Sequence, residues 1–76
     1  MVEIGDVIVI DTSYLLVQKK FHISENIVFD CIDVVSKEKH YLTFFSLAQF
    51  VTEVITANTY YILPELIKSE LRSIKC

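Results

Sequence analysis

Two acidic residues of the chain have positions that could support chemistry. Asp11 directly follows the β-branched run Val7–Ile10, and Glu53 lies about forty residues later in a second hydrophobic segment. If the two segments lie side by side, both carboxylates can bind Mg²⁺ or Mn²⁺, ions that prefer oxygen ligands. Such an ion activates a water molecule and stabilises phosphoryl transfer. Asp11 and Glu53 are therefore the candidate catalytic and metal-binding residues.

The segment Val7–Ser13 must position Asp11. Its four consecutive β-branched residues predict a short strand that is covered on both faces. A helix is predicted over Thr12–Lys20, because Asp, Thr and Ser are preferred at helix starts and the next residues are apolar on most sides. A capping role for Asp11, without chemistry, is the alternative that these residue types leave open.

A second strand and helix must position Glu53. The strand is predicted over His40–Phe45, which is rich in aromatic and β-branched residues. Ser46 and Gln49 fit a capping box that begins the following helix. The helices predicted after the first one are Ser24–Lys39, Leu47–Asn58 and a final helix with Pro64 at its first position.

The predicted fold class is a small α/β domain over residues 1–76 with the element order β-α-α-β-α-α. Strands joined by a helical crossover run parallel, so the sheet is expected to have two parallel strands with open edges. Hydrophobic residues make up 53% of the chain, against roughly 45–50% in ordinary globular domains. Both features predict a partner chain, most simply a second copy in a homodimer that completes the domain.

Net charge and hydropathy limit the other partners. A net charge of −3 argues against a general nucleic-acid or membrane-surface protein, which needs a basic surface. RNA remains a candidate substrate of a metal-dependent nuclease, whose bound cations offset local negative charge. Neither a secretory signal nor a membrane span is predicted, and a cytoplasmic location is expected.

The other reactive side chains are interpreted as structural. Cys31 and Cys76 lack the spacing of a zinc site, and Cys31 fits an apolar core position. The acids Asp30 and Asp33 are interpreted as part of a solvated helix face. The cations Lys68, Arg72 and Lys75 are interpreted in the same way on the last helix, with phosphate contact as the alternative.

A family resemblance is carried by two stretches, VIVIDTSYLL and FFSLAQFVTEVI. The first resembles the opening of a PIN domain, a ribonuclease fold, and the second resembles that family's strand, serine and glutamate-bearing helix. The resemblance implies that Asp11 and Glu53 are metal-binding acids and that Thr12 or Ser13 supplies the neighbouring hydroxyl. It covers only the first half of a PIN domain, and the family's remaining acids have no counterpart in this chain.

Three functions follow from these observations. The first is a shortened PIN-like domain that acts as a dimerising or protein-interaction module without a complete active site. The alternative is a ribonuclease dependent on Mg²⁺ or Mn²⁺, with its acidic site completed by a second subunit. The third is a nucleic-acid-binding module that uses the cations of the last helix, which the acidic balance disfavours.

Overall fold

The protein folds as an antiparallel sheet with a helix on each face. The computed structural model describes residues 2–51 and 53–75. Within these ranges the elements are β1 (Val7–Ile10), β2 (Ser13–Ile23), β3 (Asn26–Asp33), β4 (Lys39–Thr43), α1 (Phe44–Phe50), β5 (Glu53–Ile55), a 3₁₀ helix (Ala57–Ile62) and α2 (Glu65–Lys75). No helix in this part of the chain is long and apolar enough to cross a membrane.

The sheet topology corrects the predicted fold class. The strand order is β4-β3-β2-β1-β5, and every neighbouring pair is antiparallel. The prediction of an α/β domain with two parallel strands, resembling half of a PIN domain, is therefore wrong. Hairpin turns connect β1 to β2 and β2 to β3, where helical crossovers were predicted.

The strand β1 confirms the prediction for Val7–Ile10. It lies between β2 and β5 and is buried on both faces. Val7 and Val9 belong to one hydrophobic cluster, and Ile8 belongs to the other. An unbroken β-branched run predicts this position because a strand covered on both sides needs an apolar residue at every step.

The predicted helix Thr12–Lys20 is instead strand β2. Asp11 and Thr12 form a two-residue turn, across which Ile10 pairs with Ser13. Asp11 has a φ of 53°, a left-handed conformation that aspartate tolerates better than most residues. Because Asp and Thr suit both a helix start and a tight turn, pairing with β1 decides between the two.

The predicted helix Ser24–Lys39 is also wrong. Ser24, with a φ of 55°, and Glu25 form a second two-residue turn that leads into β3. Phe29 packs in one hydrophobic cluster, and Ile32 packs against the other. Since both faces of β3 carry apolar residues, the alternation typical of a strand is hidden, and the pattern resembles a broad helical arc.

The second half of the chain follows the prediction more closely. The strand predicted over His40–Phe45 is β4, and α1 begins early because Thr43 is its N-cap and accepts a hydrogen bond from the Ser46 N–H at 3.1 Å. The helix predicted over Leu47–Asn58 is too long. The observed helix α1 ends at Phe50, and Glu53 begins the strand β5. The predicted final helix is confirmed as α2.

Two hydrophobic layers hold the helices to the sheet. The α2 layer includes three buried side chains in or just before the helix, Leu63, Ile67 and Leu71, which pack on β1, β2 and β5. The α1 layer on the other face has a core from β1, β2 and β3. Leu47 and Val51, at and just after α1, are only partly buried against it. Both faces of the sheet are therefore buried, but α2 contributes fully buried side chains to its layer and α1 contributes only partly buried ones.

Candidate functional site

Asp11 lies in an exposed hairpin turn. It is neither at the end of a parallel strand nor at the start of a helix, so the predicted capping role is wrong as well. Thr12 is the other turn residue and is also exposed, while Ser13 is half-buried at the first position of β2. The three residues lie together because they are consecutive in a tight turn.

Glu53 lies on the edge strand β5 and is exposed. It pairs with Val9, and Asp11 follows Val9 by two residues, so both acids lie toward the same end of the sheet. Among the residues that the structure describes, no cluster of three or more Asp, Glu, His or Cys side chains could hold a metal ion. Metal binding by Asp11 and Glu53 stays a prediction that depends on two carboxylates.

Cys31 is a core thiol, as the sequence predicts. Its side chain is buried in the α1 layer and donates a weak hydrogen bond to the Phe29 carbonyl oxygen at 3.8 Å. Burial, and then the nearby Asp30 carboxylate, raise the pKa of Cys31 to about 12, although Lys39 opposes this shift. Because the thiolate is the reactive form, Cys31 is not suited to act as a nucleophile. Cys76 lies outside the described residues.

The acid Asp30 is buried, which corrects its interpretation as part of a solvated face. It is 5% exposed, and its Oδ1 lies 2.5 Å from the Lys39 Nζ. The same ammonium donates to the Gln18 Oε1 at 2.7 Å. Asp33 has a local role, since its Oδ1 accepts hydrogen bonds from two N–H groups of the β3–β4 loop at 2.9 and 3.0 Å. Each carboxylate therefore has a structural partner.

The two cations of α2 whose side chains the structure describes, Lys68 and Arg72, do not form a concentrated basic site. Lys68 pairs with Glu65 at 2.8 Å, and this contact lowers the pKa of the Glu65 carboxyl through a hydrogen bond and through charge. Arg72 is exposed, and the side chain of Lys75 lies outside the described residues. The arrangement matches the solvated helix face that the sequence predicts better than a phosphate site.

The outer side of α1 is the most distinctive surface of the protein. Its phenylalanines Phe44, Phe45 and Phe50 are 54%, 69% and 62% exposed. No residue of the helix is buried. We call these three side chains, together with the exposed Ala48, the α1 surface. Exposed aromatic groups of this density are typical of a contact surface for another molecule.

Two hollows flank the α1 surface. One, of about 440 Å³, extends toward Val2 and Val54, and a second, of about 500 Å³, extends toward Ile27 and Glu25. Phe44 and Ala48 border both hollows. The α1 surface is therefore ridged, and apolar side chains from a partner can enter on either side of the helix.

Comparison with known proteins gives no relative. No model of a protein family, no curated protein and no solved structure matches this chain.

The functional argument therefore depends on the geometry of this chain. The sequence contained one signal for the α1 surface that the prediction of a longer helix concealed. The segment 43–51 has three phenylalanines and no ionisable side chain. In a seven-residue helix that lies on a sheet, the phenylalanines cannot all point inward, so some must be exposed.

Proposed function

We propose that this protein is an interaction module that forms a homodimer through the α1 surface. The exposure of Phe44, Phe45 and Phe50 carries the proposal. Aromatic side chains contribute strongly to protein contacts when they are buried at the centre of an interface. The cytoplasmic location expected from the sequence is part of this proposal and remains a prediction.

The absence of charge on the α1 surface favours a second copy as the partner. A two-fold contact places the same surface patch of both subunits face to face, so a patch with charges of one sign would face like charges. The segment 43–51 has no ionisable side chain, and self-contact there carries no repulsion. The two hollows beside α1 give the partner's phenylalanines places to enter.

Sedimentation equilibrium tests the dimer. We expect the wild type to exceed its monomer mass of 8.8 kDa at concentrations of about 10–200 μM, the range of a modest self-affinity. Phe45→Ser should restore the monomer. The matched control is Tyr61→Ser, which removes an aromatic residue of similar exposure, 73%, outside α1. A wild type that stays monomeric, or a dimer that Tyr61→Ser disrupts and Phe45→Ser does not, would contradict the proposal.

One observation favours a second function, RNA cleavage dependent on Mg²⁺ or Mn²⁺. Asp11 and Glu53 lie toward the same end of the sheet, and a second subunit could add further acids. Calorimetric titration of Mn²⁺ tests this function, with binding expected in the wild type and lost in Asp11→Asn. Asparagine tolerates the turn conformation, so that variant keeps the hairpin. Absence of binding at about 1 mM Mn²⁺, a weak limit for a specific site, would remove this candidate.

A further inference from the structure

The outer half of β2 has an open edge. β1 pairs only with the first residues of β2, up to Leu16. The next residue, Val17, bonds to the turn that precedes β1. Its N–H donates to the Asp6 carbonyl, and its carbonyl accepts from the Gly5 N–H, both at 2.9 Å. Beyond Val17 the register shifts at Gln18; residues 19–23 then pair with β3 on one side, and no described residue pairs with them on the other.

A defined turn keeps this edge open. Gly5 has a φ of 98°, which a residue with a side chain rarely adopts. The Asp6 N–H donates to the Glu3 carbonyl, and the Glu3 N–H donates to the Asp6 Oδ2. The Tyr60 hydroxyl also donates to the Gly5 carbonyl. The chain therefore turns away from β2 at a fixed point and does not continue along it.

The free main-chain groups can be assigned from the hairpin register. Ile23 and Asn26 pair across the two-residue turn, and Phe21 pairs with Val28. Because hydrogen-bonded and non-hydrogen-bonded pairs alternate from such a turn, Phe21 and Ile23 bond to β3. The N–H and C=O groups of Lys20 and His22 then point to the open edge. They present donors and acceptors at the spacing that a further strand requires.

The side chains along the open edge are apolar or basic. Phe21 and Ile23 are 42% and 58% exposed. Lys19 lies opposite Asp30, whose carboxylate is already paired with Lys39. Lys20 forms an ion pair with the exposed Glu3 at 3.5 Å, which solvent weakens. Two copies of this edge would bring lysines together, so self-pairing is disfavoured and an acidic partner is favoured.

A groove of about 510 Å³ lies where the open edge begins. It is lined by Ile4, Gly5, Val17, Gln18 and Ile74, among others. A strand added beside the open edge of β2 would reach this groove at the end of the edge nearest Val17. The groove is mostly apolar and would accept one aliphatic side chain of such a strand.

We propose that the open edge of β2 binds an extended peptide that alternates acidic and apolar residues. The peptide adds a sixth strand beside residues 19–23 and bonds the main chain of Lys20 and His22. Because successive strand residues point to opposite faces, its carboxylates lie on the face that carries Lys20, and its apolar side chains lie on the other face, where one enters the groove by Ile74. This binding is separate from dimerisation through the α1 surface.

Peptide binding measured by fluorescence anisotropy tests the proposal. The probe is a fluorescein-labelled peptide of alternating valine and glutamate, about six residues long, which matches a typical strand. We expect saturable binding that weakens with added salt, and at least about tenfold weaker binding of the valine–lysine peptide, as one charge-assisted contact provides. Equal binding of both peptides, or no saturable binding of the acidic one, would overturn the proposal.

A proline substitution tests the main-chain contacts. His22→Pro removes one N–H from the open edge and leaves the bonds to β3 in place, so peptide binding should weaken about tenfold or more. His22→Ala, the matched control, should bind like the wild type. If His22→Pro does not fold, amide exchange of the wild type decides: the peptide should slow exchange at Lys20 and His22. Unchanged exchange at both amides would overturn the proposal.

A third variant separates this site from the dimer. Phe45→Ser should bind the acidic peptide as tightly as the wild type, because Phe45 lies in α1, which packs mainly against β3 and β4. Loss of binding in Phe45→Ser would place the peptide on the α1 surface and overturn the edge proposal. Loss of the dimer with retained peptide binding would support both proposals independently.

Discussion

The two helices pack on opposite faces of one sheet and differ in how many of their side chains are buried. In α2, Ile67 and Leu71 are 4% and 3% exposed, and the helix closes a large hydrophobic layer. In α1 no residue is buried, and Phe45 is 69% exposed. α1 has five apolar residues of seven and α2 has four of eleven, so the more apolar helix is the more exposed one, and burial cannot be inferred from composition alone.

The outward faces of the helices explain the difference. The residues of α2 that point away from the sheet include Glu65, Lys68 and Arg72, which suit water. An ion pair between Glu70 and Lys37 also ties α2 to the β3–β4 loop. The outward residues of α1 are uncharged and include three phenylalanines, and the helix has no ion pair within the described part of the chain. The α2 side of the molecule therefore presents charged groups to solvent, whereas the α1 side presents apolar side chains that suit contact with another molecule.

The largest expected effect is on α2. Leu71→Ala should lower the free energy of unfolding by about 2–5 kcal/mol, because it removes a buried side chain and leaves a cavity. Leu66→Ala on the same helix is the control, since Leu66 is 64% exposed and its loss should change stability by about 0.5 kcal/mol or less. Urea denaturation measures both values. Similar losses for the two variants would mean that the assigned inner face of α2 is incorrect.

The elements that sequence reasoning predicted correctly are those with one unambiguous physical signal. The run Val7–Ile10 is β-branched throughout and is a buried strand. The final helix has Pro64 before it and apolar residues on one stripe, and α2 begins directly afterward. In both cases local preference and tertiary packing favour the same structure, so the local pattern is sufficient.

The remaining elements could not be predicted because their local signals suit two structures. Asp11 followed by Thr12 fits a helix start and a hairpin turn, and only pairing with β1 selects the turn. β3 is apolar on both faces, which hides the period of a strand. Because these two errors turned antiparallel hairpins into helical crossovers, the predicted parallel sheet followed from them.

The candidate site was affected by the same errors. The sequence places Asp11 and Glu53 near each other for the wrong reason, through parallel strands, whereas the antiparallel register with Val9 brings them toward one end. The α1 surface was missed because the predicted helix was longer and placed Phe50 on a stripe that faces the core. The observed helix has seven residues, and Phe50 is exposed.

A smaller effect should report on the partly buried side chains of α1 that cover the α1 layer. Cys31 lies in this layer with its pKa raised to about 12 by burial and by Asp30. At about pH 8 a thiol reagent should therefore react only when the layer opens. Leu47→Ala removes a side chain that covers the layer and should accelerate labelling about tenfold, which corresponds to roughly 1.4 kcal/mol.

The labelling experiment needs a background with one thiol and a control. Cys76→Ser leaves Cys31 as the single cysteine, and reaction with Ellman's reagent gives the rate. Leu66→Ala, on the opposite side of the sheet, should leave this rate unchanged. Fast labelling of the wild type, at the rate of a free thiol, would show that α1 does not protect the layer at all.

The smallest expected effect is a pH dependence at the start of α2. The hydrogen bond and charge of Lys68 lower the pKa of the fully exposed Glu65 from its usual 4.5. Since the carboxylate is favoured in the folded state, its contribution is present above pH 4.5 and is lost as the pH falls through the lowered value. Glu65→Gln should therefore reduce the melting temperature at neutral pH, and the reduction should shrink as the pH falls below 4.5 and the carboxyl becomes protonated. Glu25→Gln, in the exposed turn between β2 and β3, controls for the loss of one negative charge.

Added salt separates the ion pair from other effects of Glu65. Because both partners of the Glu65–Lys68 pair reach solvent, salt should shrink the difference in melting temperature between the wild type and Glu65→Gln at neutral pH. A difference that persists at about 1 M salt would indicate that Glu65 stabilises α2 by a route other than its ion pair.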